Sequence, residues 1–160
     1  MPRLKKYKYE VIDLFCGIGG LSSGLKSRGF SVLAGYDLDQ TCRYAYETNN
    51  EAVFNYRDIK SVTGQEIAEQ YGKKSVKVLV GCAPCQPFSS YAFKNKKKDP
   101  NKYDLLYEFG RLIREVRPDI VAMENVTQIL RFEEKPVLND FLALLEELDY
   151  QYDVQQVYCP

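Results

Sequence analysis

Residues 9–20, Tyr9-Glu-Val-Ile-Asp-Leu-Phe-Cys-Gly-Ile-Gly-Gly20, decide the fold. The first seven, ending at Phe15, read as a buried strand. Gly17, Gly19 and Gly20 then form a turn ahead of a helix from about Gly20 to Ser27, which Gly29 stops. Glycines at such a turn allow positive φ and let a ligand touch the backbone, and a helix N-terminus behind them favours a negative group. Working outward, the alternation repeats. Ser31–Tyr36 reads as a second strand and Gln40 to about Asn49 as a second helix. A short strand follows around 53–55, a helix over 64–71 and a strand over 75–81. Residues 82–102 read as a long loop. Tyr103–Val116 is a helix with Leu105, Leu106, Phe109, Leu112, Ile113 and Val116 on one face, ended by Pro118. Asp119–Met123 is a strand, Pro136–Leu148 an amphipathic helix, and Tyr152–Tyr158 begins a last strand.

Continuously apolar strands separated by helices predict an α/β protein with a doubly wound, mostly parallel, Rossmann-like sheet covered on both faces. Residues 1–160 read as one domain with no repeat or linker. In such sheets ligands bind beyond the carboxyl ends of the strands. The informative residues fall there: Gly17, Asp37, Asp58, the 82–90 stretch and Glu124.

Bulk composition narrows the functions. No apolar run reaches the ~18 residues that span a bilayer, and the basic N-terminus has no apolar stretch behind it to make a signal peptide. A cytoplasmic protein without membrane partners is expected. Net charge is zero, so a case for nucleic acid must rest on local clusters. Five scattered cysteines argue against a disulfide framework. The complete lack of histidine removes His-based triads and most catalytic zinc sites, so no metal is expected.

Asp37 lies 20 residues after Gly17, at the end of the second strand, where a carboxylate can accept both hydroxyls of a ribose. A tight turn with a capping aspartate is the plainer alternative. The third glycine of the dinucleotide fingerprint is absent, since position 22 is Ser, so a nucleoside ligand fits at least as well as NAD. Asp58, after the third strand, is placed to accept from an adenine amine or simply to cap its loop.

Gly81-Cys-Ala-Pro-Cys-Gln-Pro-Phe-Ser-Ser90 sets a thiol on a loop stiffened by Pro84 and Pro87. Three readings stay open for it: a Cys82–Cys85 redox pair, half a zinc site, or a single nucleophile, Cys85, with Cys82 as a neighbour. Lys94, Lys96, Lys97, Lys98 and Lys102 follow, interleaved with Tyr91 and Phe93. They form either a solvated loop or a phosphate-contacting one. Glu124 ends the fifth strand, where burial would raise its pKa and ready it to donate a proton. Asn125 is placed to brace the nucleophile's loop; the plainer alternative has Asn125 capping a helix and Glu124 simply exposed.

The set Asp13-Leu-Phe-Cys-Gly-Ile-Gly-Gly20, Asp37, Arg57-Asp-Ile59, Gly81-Cys-Ala-Pro-Cys-Gln-Pro-Phe-Ser89, Asp104-Leu-Leu106 and Met123-Glu-Asn-Val126 resembles the cytosine-5 DNA methyltransferase family in order and spacing, over nearly the whole chain. The resemblance implies S-adenosylmethionine as cofactor. Phe15, Gly17, Gly19, Asp37, Leu38, Asp58, Ile59, Pro84 and Leu105 would be its contacts, with Asp37 on the ribose. The family often has Glu at position 37 and sometimes an aromatic at 38. The resemblance also implies double-stranded DNA as partner and a flipped cytosine as substrate. Cys85 would be the nucleophile, with Glu124, Asn125 and Gln86 in the catalytic group. Ser89, Lys94, Lys96, Lys97 and Lys98 would contact DNA. RNA cytosine-5 methylation and a thiol–disulfide oxidoreductase are the competing functions.

The family pattern continues past position 160 with an arginine-bearing motif, a target-recognition region and a last cofactor-binding helix. The chain is therefore expected to be either part of a longer enzyme or one subunit of a split one completed by a second polypeptide. Alone it is expected to methylate DNA weakly or not at all. A strand beside strand five is also missing, which leaves an open hydrophobic sheet edge.

Overall fold

A computed structural model describes residues 8–84, 104–131 and 137–157. Five strands, β1 (Tyr9–Leu14), β2 (Ser31–Asp37), β3 (Val53–Tyr56), β4 (Val76–Gly81) and β5 (Ile120–Met123), form one sheet in the order β3-β2-β1-β4-β5. Every pairing is parallel. The helices are α1 (Gly20–Ser27), α2 (Arg43–Asn50), α3 (Gly64–Ala68), α4 (Asp104–Val116) and α5 (Val137–Glu147). The order reverses at β1, so the gap between β1 and β2 on one side and β4 on the other is the topological switch point where ligands of such sheets bind.

Alternation along each strand sorts the side chains between two layers. Ile12, Leu14 and Leu79 face the main core, made with Ile67 of α3, Phe109, Leu112 and Ile113 of α4, and Phe141 and Leu145 of α5. Val11, Val78 and Val80 face the other side, where Leu21 and Leu25 of α1 cover them. Tyr46 of α2 extends that layer over Cys16 and Phe54. In the apolar stripe expected on α4, Phe109, Leu112 and Ile113 are wholly inaccessible.

Two details differ from the sequence reading. The second helix opens with a 3-10 turn, Gln40–Cys42, because the Asp39 carboxylate caps Thr41 and tightens the first turn. The expected last strand does not form over 151–157, which carry no regular structure and are exposed; Tyr158 lies outside the described residues. A strand needs a ladder partner, and nothing among the described residues pairs with this segment. It lines a 510 Å³ cleft together with Ile120, Val121 and Met123 of β5. Among the described residues β5 pairs only with β4, so its outer edge is open.

Candidate active site at the strand ends

The glycine turn leaves β1 in an unusual path. Phe15, Gly17 and Gly19 all have positive φ, of 58°, 49° and 88°. Two backbone bonds close the turn: Gly19 N donates to Cys16 O at 2.8 Å, and Cys16 N to Tyr36 O of β2 at 3.1 Å. The glycines serve different ends. At Gly17 nothing lies within 4 Å of where a Cβ would stand, so this stretch of backbone is open to a ligand. At Gly19 a Cβ would strike the Asn50 amide and the Tyr46 ring. Gly19 is buried, and glycine is needed there because the turn packs against α2.

Asp37 joins the end of β2 to that turn. One carboxylate oxygen accepts from Gly17 N and the other from Asp39 N, both at 2.8 Å. Each oxygen keeps lone-pair capacity for another donor. Leu38, next along, is 57% exposed at the rim, whereas Ile59 is 4% exposed and sits in the main core, so little of it is available to a ligand. Asp58 is exposed and caps a 3-10 turn, accepting from Lys60 N at 3.0 Å. Arg111 of α4 anchors that turn by donating to Ile59 O and Val62 O. Leu105 is half-buried against the main core, and Phe15 packs partly on the same core.

Beneath the turn lies a polar cluster that the sequence reading did not single out. Asp13 is fully buried. Its Oδ2 accepts from Ser22 Oγ at 2.6 Å, and Ser22 Oγ lies 3.2 Å from Tyr46 Oη. Its Oδ1 and the Oδ1 of buried Asn50 have no hydrogen-bond partner among the described residues. Burial pushes the Asp13 carboxyl up to about 6, against the opposing Ser22 hydrogen bonds and with help from the Asp37 charge. The available signal was a carboxylate amid the apolar strand Val11-Ile-Asp-Leu14. Its cost is defined only once its neighbours are known.

A carboxyl with a folded value above its ordinary 3.8 favours folding while it is protonated. That contribution is complete below the ordinary value and is lost as pH rises through the folded one. Parent stability should therefore fall between pH 4 and 8 by about 3 kcal/mol relative to Asp13→Asn. Urea unfolding of both proteins across that range checks this, and parallel pH profiles would refute it.

At the other side of the switch point, Cys82 N continues the ladder to Leu14 O at 3.3 Å, and Glu124 N bonds to Gly81 O at 3.2 Å. Asn125 Nδ2 donates to Ala83 O at 3.1 Å, while its Oδ1 accepts from Val126 N at 2.8 Å. Asn125 therefore ties the end of β5 to the segment leading from β4 to Pro84, which is exposed. Glu124 is also exposed, so the burial expected for it is not found. The Cys82 thiol is pushed up to about 12, first by burial and then by the Asp13 and Glu124 charges. A redox Cys-x-x-Cys pair works through a lowered thiol pKa, and Cys82 has the reverse. The expectations for Cys85, Gln86, Ser89, Lys94, Lys96, Lys97 and Lys98 lie outside the described residues.

Comparison with known proteins agrees with this arrangement. Residues 9–159 match the family model for C-5 cytosine-specific DNA methylase. The Type II methylase M.HgiDII of Herpetosiphon aurantiacus is 49% identical over 150 residues, covering 94% of this chain and 42% of that protein. The Type II methyltransferase M.AgeI of Thalassovita gelatinovora is 34% identical over 148 residues, covering 91% of this chain and 34% of the relative. Among solved structures, a prophage-encoded E. coli protein described as a DNA modification methyltransferase superposes with a TM-score of 0.72 at 27% identity, covering 88% of this chain and 38% of that one. The chain thus spans less than half the length of these relatives.

Proposed function

The chain belongs to the C-5 cytosine-specific DNA methylase family, and on that premise we propose that it is the cofactor-binding and nucleophile-bearing part of an enzyme that methylates carbon 5 of cytosine in double-stranded DNA. What supports this reading is convergence at one end of the sheet. The open glycine turn and Asp37, the segment leading to Cys85, and Glu124 with Asn125 all leave the carboxyl ends of neighbouring parallel strands. The names of the relatives point to a restriction–modification system. DNA as substrate puts the working enzyme in the cytoplasm. No helix among the described residues is long and apolar enough to cross a membrane.

A methyltransferase needs a methyl donor, and the strand ends suit S-adenosylmethionine. The open backbone at Gly17 offers close approach, and Asp37 offers acceptor capacity for ribose hydroxyls without a pyrophosphate-binding third glycine. Leu38, Asp58, Pro84, Leu105 and Phe15 would complete the pocket. Bound there, the sulfonium supplies an electrophilic methyl group.

The chain's own residues do the rest. Carbon 5 of cytosine is a poor nucleophile, and a Cys85 thiolate adding at carbon 6 makes it enamine-like. Glu124 protonates or hydrogen-bonds ring nitrogen 3 and stabilises the charge developing on the ring. Asn125, by holding Ala83 O, fixes the backbone that leads toward Cys85. After methyl transfer, loss of the carbon 5 proton and departure of Cys85 restore the enzyme. The base has to leave the duplex first, at a cost of a few kcal/mol. Ser89 and the lysines at 94, 96, 97 and 98 contact the backbone of that DNA. The target-reading region is assigned to the part of such enzymes that this chain does not span.

Cofactor binding is testable on the chain alone. Asp37→Ala should weaken S-adenosylmethionine binding about 10- to 100-fold by calorimetry, since it removes a charged hydrogen-bond acceptor and releases Gly17 N. An unchanged dissociation constant would remove Asp37 from the site. For the activity, covalent capture of the complete enzyme by 5-fluorocytosine in DNA but not in RNA is expected. Capture by RNA alone would select the RNA reading instead.

A further inference from the structure

We infer that Cys82 is a positioning residue for Glu124: its thiol, set beside Glu124 by the β4–β5 register, donates to the Glu124 carboxylate and fixes where that carboxylate meets the target base. The inference rests on the methyltransferase reading, and it gives a task to a residue that reading leaves idle.

The backbone brings the pair together. Gly81 stands opposite Met123 in the β4–β5 register, so the next pair along is Cys82 with Glu124. The bond from Glu124 N to Gly81 O keeps the strands in step at that point, and the bond from Cys82 N to Leu14 O locks Cys82 onto β1. The side chains also share a face. A Cβ on Gly81 would meet Phe109 of α4, and Val121 and Met123 pack on the core of that same layer. By alternation, Cys82 and Glu124 point the other way, toward the layer that holds Asp13. Neighbouring strands lie ~4.8 Å apart, so the two side chains stand side by side, and the Glu124 charge acts on the Cys82 thiol.

The electrostatics make the thiol a permanent donor. Burial first, and then the Asp13 and Glu124 charges, raise the cost of a thiolate at Cys82. At neutral pH Cys82 therefore carries its proton, and Glu124 accepts it as a hydrogen bond. An exposed glutamate with three side-chain torsions to settle is a loose group for catalysis. One fixed donor from the neighbouring strand reduces that freedom before substrate arrives.

The contact can be read on the chain itself. Alkylation by iodoacetamide, resolved peptide by peptide, should be several-fold faster at Cys82 in Glu124→Gln than in the parent above pH 8, with Cys42 as an unchanged internal reference. An unaltered Cys82 rate overturns the contact. In the complete enzyme, Cys82→Ala should lower kcat about tenfold while KM for DNA and cofactor stays within about twofold. Cys82→Ser, which keeps a hydroxyl donor, should recover most of the loss. Parental kcat in Cys82→Ala, or no recovery in Cys82→Ser, overturns the positioning role. A parent enzyme that transfers no methyl group to cytosine instead overturns the functional reading, and this role with it, before any variant is compared.

Discussion

Cys85→Ser is expected to lower methyl transfer by the complete enzyme at least ~10³-fold, because a serine hydroxyl is neither ionised near neutral pH nor as nucleophilic as a thiolate. Cofactor affinity should be unchanged, since Gly17 and Asp37 lie on β1 and β2 while Cys85 follows β4. Two assays read this directly. Transfer of radiolabelled methyl to DNA should vanish. The covalent adduct with 5-fluorocytosine DNA, which survives denaturant because fluorine at carbon 5 blocks the final elimination, should not form. The chain alone, spanning less than half the length of its relatives, is expected to transfer little or no methyl in either form. Robust transfer by Cys85→Ser would transfer the role to another group and return Cys85 to a structural one.

The largest effect on the fold should come from Gly19→Ala. At φ 88° an alanine is strained, and its methyl would enter space held by the Asn50 amide and the Tyr46 ring. Neither neighbour yields easily. Asn50 Nδ2 donates to Tyr46 O at 3.0 Å and reaches Gly19 O at 3.4 Å, and Tyr46 is wholly buried against Phe54 with its hydroxyl on Ser22. Backbone strain and overpacking together should cost about 3–5 kcal/mol, a large share of a domain's ~5–15 kcal/mol. Thermal unfolding should move down on the order of 10 °C. Gly17→Ala shares the positive φ but meets open space, so its stability loss should be clearly smaller, while its cofactor binding should suffer. Equal destabilisation by the two changes would show that conformation alone, and not packing on α2, sets the need for glycine at position 19.

Much of the site is legible in the sequence. The glycine turn, Asp37, Asp58 and Glu124 were placed at strand ends by apolar runs and breakers alone, and all of them stand there. Legibility failed wherever an effect needed a partner distant in sequence. An apolar strand ending in Glu124 suggests burial or plain exposure, and exposure holds: among the described residues β5 is at the sheet edge. For Asp37 the sequence leaves a ribose ligand and a turn cap as alternatives, and the carboxylate bonds Gly17 N across the turn while keeping acceptor capacity. Ile59 was expected to contact a ligand, yet its side chain belongs to the core beside α4. Residues 152–157 have a strand's composition, and a strand is a pairing, which composition cannot provide.

The sequence by itself determined the α/β class, the element order and the residues at the carboxyl ends of the strands. Periodicity and turn chemistry are local, and burial on a parallel sheet leaves its mark residue by residue. Only the tertiary structure decided which strands are neighbours. By placing β1 between β2 and β4, it buried Asp13 under the glycine turn and set its raised pKa. By pairing β4 with β5, it brought the Cys82 thiol to Glu124 and Asn125 to Ala83, across a separation of 42 residues in each case. Electrostatics and hydrogen bonds act through a few ångströms of space, and only the strand order says which distant residues come within that reach.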